Sequence, residues 1–278
     1  MYKRQIYDAL SGLIAEQAGA RAVYLSGASI AYTRFGRSDV GLVSASEVHD
    51  TLAAVTDRIQ IPVIVDADTG FGNALNVQRT IRNFERAGAA AIQIEDQSFP
   101  KRCGHLDGKT LISKDEMVGK IKAAIDARKE TNTLIIARTD ANSVEGLNKT
   151  VERVKAYEDA GADIIFPEAM KDEKEFEQIR KHTKVSLLAN MTEFGKSKLL
   201  SANTLEKLGY NIIIYPVSTQ RLAMKNVEDG LKVIFKDGHQ NNIIDRMQTR
   251  KRLYELVEYE KYNTPDKKMT DFKTDGHE

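Results

Sequence analysis

The stretch Ala87-Gly88-Ala89-Ala90-Ala91-Ile92-Gln93-Ile94-Glu95-Asp96 reads as a helix end, a turning glycine and a mainly apolar strand that closes on two acids. A run such as Ala91–Glu95 suits a parallel sheet, whose strands are covered on both faces. Upstream, Val77, Ile81 and Phe84 recur at helical spacing, so Gly88 falls where the residue after a helix takes positive φ. The Ala-Gly-Ala phrase recurs at Ala18–Ala20 and Ala160–Ala162, each time before a strand, and Gly209 repeats the idea before Asn211. Outward from this unit the strand candidates are Ala22–Ser26, Val63–Asp68, Ala91–Glu95, Leu134–Arg138, Asp163–Pro167, Val185–Ala189 and Asn211–Pro216. Helical patterns such as Leu147, Val151 and Val154 lie between them. This βα repeat predicts a (β/α) barrel, with an open seven-stranded sheet as the alternative.

The candidates number seven, whereas a closed barrel of this type takes eight. The chain opens on a predicted helix, Ile6–Ala18, with Ile6, Leu10, Leu13 and Ile14 on its apolar face. Met1–Gln5 is too short and polar to read as a strand, so the expectation is a barrel clipped at its start and lacking its first strand. No Pro-, Gly- or Ser-rich linker divides the chain, which predicts one barrel domain over 1–278. Within it, helices at Ile243–Met247 and Arg252–Tyr259 form a C-terminal extension, 239–263, before a mobile tail, 264–278, that starts at Thr264.

With 41 Lys and Arg against 40 Asp and Glu, the net charge of +1 argues against a bulk electrostatic grip on nucleic acid or an anionic membrane. No apolar run approaches the roughly 20 residues that span a bilayer. A single cysteine forms no internal disulfide, which fits a reducing cytoplasm.

Chemistry-bearing residues gather at the strand ends, the active face of such barrels. Asp66 and Asp68 at i and i+2 would share one side of a strand, a hard oxygen site for Mg²⁺, with Glu95 as third carboxylate. Further strands end on Arg138-Thr139-Asp140, Pro167-Glu168, Asn190-Met191-Thr192 and Ser218. A single acid there is more often a helix cap. Acids, Arg, Asn and Ser together at these strand ends suit a divalent ion and a polycarboxylate ligand. Beyond Glu95 lies Lys101-Arg102-Cys103-Gly104-His105. A lone cysteine is usually inert core filler, but this one is flanked by cations that would lower its pKa toward proton transfer. Cys–His hydrolysis would leave the acids unexplained, and Gly70-Phe71-Gly72 matches neither a P-loop nor a dinucleotide fingerprint.

These motifs resemble the isocitrate lyase and phosphoenolpyruvate mutase superfamily, nearest its 2-methylisocitrate lyase branch, from about Ile6 to about Tyr259. The phrases that carry the resemblance are Tyr24–Gly27, Val65–Gly72, Ile94–Gln97, Lys101–His105, Ala137–Asp140, Phe166–Ala169, Ala189–Gly195 and Met247–Arg250. The Lys-Arg-Cys-Gly-His loop resembles that of members cleaving C–C bonds. The resemblance implies a (β/α)8 barrel whose last helix is exchanged between subunits of a homotetramer. It implies lysis of 2-methylisocitrate to pyruvate and succinate in propionate breakdown, with 2,3-dimethylmalate lyase or oxaloacetate decarboxylase or hydrolase activity as the alternative. Phosphonopyruvate chemistry and a noncatalytic binding barrel are further readings, disfavoured by Cys103. By the same resemblance Asp66, Asp68 and Glu95 hold Mg²⁺ or Mn²⁺. Ser26, Gly27, Ala28 and Arg138 hold the pyruvate part, and Gly104, His105, Glu168, Asn190, Thr192 and Arg221 the succinate part. Cys103 protonates the carbanion. The family's Gly-Leu-Pro-Asp-Leu-Gly reads Gly36-Arg37-Ser38-Asp39-Val40-Gly41 here; Asp39 is kept as a substrate contact, and Arg37 adds a charge. Met191 stands where Ile is common, a volume-conserving change.

Overall fold

The structure, a computed structural model, describes residues 2–270. Gly88 has φ 90° and leads from the helix Ala74–Arg86 into the strand Ala89–Glu95. The Ala87 carbonyl accepts a 2.6 Å hydrogen bond from Thr56 Oγ1, which fixes the turn against the preceding helix. Repetition of this unit builds a closed parallel barrel in chain order: β1 Tyr2–Ile6, β2 Val23–Leu25, β3 Val63–Asp66, β4 Ala89–Glu95, β5 Leu134–Thr139, β6 Ile164–Pro167, β7 Ser186–Asn190 and β8 Ile212–Tyr215. The first helices are α1 Ala9–Gln17, α2 Gly27–Phe35, α3 Ala45–Thr56, α4 Ala74–Arg86, α5 Lys114–Ala127 and α6 Ala141–Val144. They are followed by α7 Leu147–Asp159, α8 Glu173–Lys181, α9 Ala202–Lys207, α10 Ser218–Asp237, α11 Arg250–Leu256 and α12 Tyr259–Thr270.

The seven predicted strands correspond to β2–β8, but the missing first strand is a misreading. Tyr2–Ile6 pairs with both neighbours: Tyr2 lies opposite Ile213 and Arg4 opposite Tyr215, while Gln5 and Ile6 lie opposite Tyr24 and Leu25. Barrel closure recruits a strand through its backbone hydrogen bonds, so the polar composition that hid β1 does not prevent it. Ile6, read as part of the helix, is the 1% exposed end of β1. The helix itself starts at Ala9, where Asp8 and Ser11 form a capping box.

The barrel interior is filled by Tyr24, Ile64, Ala91, Ile136, Phe166, Leu188, Ile212 and Ile214, drawn from strands around the circle. Val77, Ile81 and Phe84 are buried, as their spacing predicts. By contact density the chain divides into Met1–Leu222 and Ala223–Glu278. The second unit holds the rest of α10, a 3₁₀ turn at Asn241–Arg246, α11 and α12. Helix α12 continues past Thr264 to Thr270, so the predicted tail is helical in its first part; the remainder, 271–278, lies outside the described residues.

Candidate active site

Asp66, Asp68 and Glu95 each offer an oxygen, and the three lie within 4.8 Å of one another, all buried. Strand alternation is not what joins the first two. β3 ends at Asp66, and Asp68 lies beyond it with φ 46°, in the left-handed region, where its N–H donates to Asp66 Oδ1 at 3.1 Å. A non-glycine residue held there stores strain, which suits a functional position. Its carbonyl accepts from Glu95 N at 2.8 Å, bringing the third acid alongside. Burial, opposed by Lys101 and reinforced by Asp66 and Asp39, pushes the Asp68 carboxyl up to about 6. Burial also raises Glu95 well above the carboxylate range, with Arg138 and Lys101 opposing. Glu95 Oε1 is buried with no hydrogen-bond partner. Three clustered carboxylates, one with an unpaired oxygen, fit a hard divalent cation.

Arg138 on β5 lies opposite Glu95 in register. Asp140 grips it as a fork, accepting from Nε at 2.9 Å and Nη2 at 3.2 Å. Glu95 and Glu168 stand 3.4 and 3.8 Å from Nε, and the guanidinium lies over the Phe166 ring. Glu168 accepts from Asn190 Nδ2 at 3.0 Å and pairs with His105 Nε2 at 2.7 Å. Burial favours its neutral form, but Arg138, His105 and Asn190 outweigh it and hold the carboxyl at about 2. The Lys196 N–H donates to His105 Nδ1 at 3.0 Å, which leaves the ring proton on Nε2, facing Glu168.

The loop Lys101–His105 covers this end of the barrel. A Cβ on Gly104 would collide with Arg138 Nη2 and sit 2.6 Å from Glu168 Cγ, so only glycine lets the loop come this close. The flanking cations do not lower the Cys103 pKa. Lys101 is spent on Asp39 and on Asp68, whose Oδ1 lies 2.8 Å from its Nζ. Burial raises the thiol; an N–H from His105 opposes this, and Glu168 and Asp39 add to it. Cys103 is therefore a protonated thiol at neutral pH.

One cavity of about 100 Å³ brings together Ser26, Ala28, Asp39, Asp66, Cys103, Gly104, His105, Arg138, Glu168, Asn190, Thr192 and Arg221. Gly27 does not line it, but its N–H donates to Asp66 Oδ2 at 3.2 Å. Ser26 caps α2 and aims that helix N-terminus at the cavity, a favourable seat for an anion. Thr192 is placed by its N–H, which donates to Asn190 Oδ1 at 3.0 Å. Arg221 stands at the rim, paired with Glu193 at 2.8 Å and lying over Phe194. Tyr24, Tyr32 and Lys101 also line the cavity and were missed as site residues. Tyr24 and Lys101 lie inside quoted motifs, but an isolated Tyr reads as core and Lys101 as a loop charge.

The sequence pattern of the phosphoenolpyruvate phosphomutase family matches residues 4–235. The chain is similar to the 2-methylisocitrate lyase of Aeropyrum pernix, 48% identical over 265 residues that cover 95% of this chain and 85% of that protein. It is similar in fold to a crystal structure of 2,3-dimethylmalate lyase, with TM-score 0.91 and 32% identity over 100% of this chain and 93% of that one. A phosphonopyruvate hydrolase solved with oxalate and Mg²⁺ gives TM-score 0.85 and 30% identity, covering 95% and 92%.

Proposed function

As the chain belongs to the phosphoenolpyruvate phosphomutase family, we propose that it is a lyase that cleaves 2-methylisocitrate to pyruvate and succinate. The observation that carries this reading is the presence of the Cys103 thiol, Arg138 and the Asp66 carboxylate in a single cavity. A divalent cation held by Asp66, Asp68 and Glu95 would supply positive charge where the substrate's carboxylate and hydroxyl oxygens gain negative charge; the Mg²⁺ bound by the phosphonopyruvate hydrolase supports magnesium as that ion. Arg138 and the α2 N-terminus, at Ser26, Gly27 and Ala28, bind the part that becomes pyruvate. His105, Gly104, Asn190, Thr192 and Arg221 bind the part that becomes succinate. Glu168, kept ionised, fixes Asn190 and His105, and Asp39 orients Lys101 against the site.

Retro-aldol cleavage breaks the bond between the hydroxyl-bearing carbon and its neighbour. The bonding pair stays on the succinate fragment while the hydroxyl gives its proton to a carboxylate lining the cavity and becomes the pyruvate carbonyl. Cys103 S–H gives its proton to the carbanion, and the loop excludes water that would otherwise intercept it.

The likeness to 2,3-dimethylmalate lyase favours a second substrate of the same chemistry. Pyruvate release from 2-methylisocitrate, isocitrate, 2,3-dimethylmalate and oxaloacetate, with and without Mg²⁺, tests the proposal. Mg²⁺-dependent turnover fastest on 2-methylisocitrate supports it, and no turnover of that compound refutes it. No helix among the described residues is long and apolar enough to cross a membrane. The proposed setting is cytoplasmic propionate catabolism. Helix α10 exposes Leu222, Met224, Val227, Leu231 and Phe235, which supports a homotetramer in which neighbouring subunits exchange this helix; light scattering gives the mass.

A further inference from the structure

Lys109 lies just beyond the cysteine loop, yet its side chain is 1% exposed. Its ammonium donates to the Gly104 carbonyl and, at 3.0 Å, to the Leu106 carbonyl, the two that flank His105. On the far side Asp140 Oδ1 stands 3.7 Å from Nζ. Taking an ammonium out of water is costly unless charge and hydrogen bonds replace the water. Here two loop carbonyls and one fully buried carboxylate do so. Opening the loop would strip the ammonium of both carbonyls. The same carboxylate forks Arg138, and the Gly104 backbone rests against Arg138 and Glu168.

We propose that Lys109 is a positioning residue: its buried ammonium pins the cysteine loop shut from below and, through Asp140, ties the closed loop to the orientation of Arg138. A space-filling apolar side chain would serve neither end. The proposal deepens the lyase reading, and the turnover part of its test rests on that reading; the thiol part does not.

Cys103 is the only cysteine, so alkylation of the full chain by iodoacetamide reports loop opening without background. Lys109→Met should raise the Cys103 alkylation rate by about tenfold or more, the scale set by losing hydrogen bonds to a charged group. It should lower kcat by a similar factor and raise KM for 2-methylisocitrate as well, since the loosened loop carries Gly104 and His105. Lys109→Arg should restore much of the protection. Lys120→Met is the control: Lys120 is also buried, but it donates to the Thr69 carbonyl, not to the loop. If Lys109→Met does not fold, Lys109→Gln, a shorter neutral donor, is read in the same way. Alkylation of the folded variant at the wild-type rate overturns the proposal, as does equal acceleration by Lys120→Met, which would mean general loosening. A chain inactive on every substrate tested would overturn the lyase reading and leave the thiol measurement intact.

Discussion

Cys103→Ser separates proton donation from packing. The structure holds the thiol protonated by burial inside the cavity that also contains Arg138 and Asn190. Serine keeps the shape and is a far weaker acid. A positioned general acid contributes about 10²–10⁴-fold, or roughly 3–5 kcal/mol of barrier at about 1.4 kcal/mol per tenfold. Cys103 is only partly buried, so stability should change by under about 1 kcal/mol, which is a few degrees in Tm at this chain length. Arg138, Asn190 and the α2 N-terminus are untouched, so KM should stay within about threefold. Pyruvate release and a thermal scan on the same sample provide both numbers. Turnover within about threefold of wild type at unchanged Tm would refute the role, as would a covalent adduct on Cys103 that forms and decays at the turnover rate.

Asp68→Asn should abolish Mg²⁺ binding measured by calorimetry, whereas Asp39→Asn should weaken it by less than about tenfold, because Asp39 faces Lys101 and not the acid triad. Mg²⁺ affinity should fall about tenfold per pH unit below about pH 6: burial raises Asp68 to about 6, so below that value the cation must displace a proton. Titrations at pH 7.5 and 5 that give equal affinity would contradict this. Deleting Tyr2–Ile6 should leave β2 and β8 with unpaired edges, and it should lower Tm and promote aggregation, read by light scattering.

The strands β2–β8 were legible because each is a mainly apolar run, and β2, β4, β6 and β8 also follow a helix-ending glycine; both signals are local. β1 was not, because its membership comes from partners that local hydropathy does not report. The acid triad and the cysteine loop were legible by residue type and position. The convergence of Asp66 and Asp68 was expected for the wrong reason: the left-handed backbone at Asp68, not strand alternation, turns the second acid inward. Lys101 read as a loop charge until the fold buried it against Asp39 and Asp68, and Lys109, buried beside Asp140, drew no reading from the sequence at all. The thiol shift was misjudged because burial raises it and Lys101, counted as a neighbour along the chain, is already paired with Asp39 and Asp68 in space. Arg221 lines the cavity and also pairs with Glu193, a side-chain partner no spacing rule contains.

The seam between β1 and β8 also bears on biosynthesis. Gln5 accepts from the Val217 N–H across a sequence separation of 212 residues, and Tyr2 waits for Ile213. At about 5–20 residues per second of translation, β1 spends roughly 10–40 s without its second neighbour. Through that interval the nascent sheet presents open edges, the condition under which chains pair with the wrong partner. The final step therefore joins the two most distant strands, and such non-local pairing is slow. Demand for chaperones during synthesis should concentrate before β8 leaves the ribosome and end once the ring has shut.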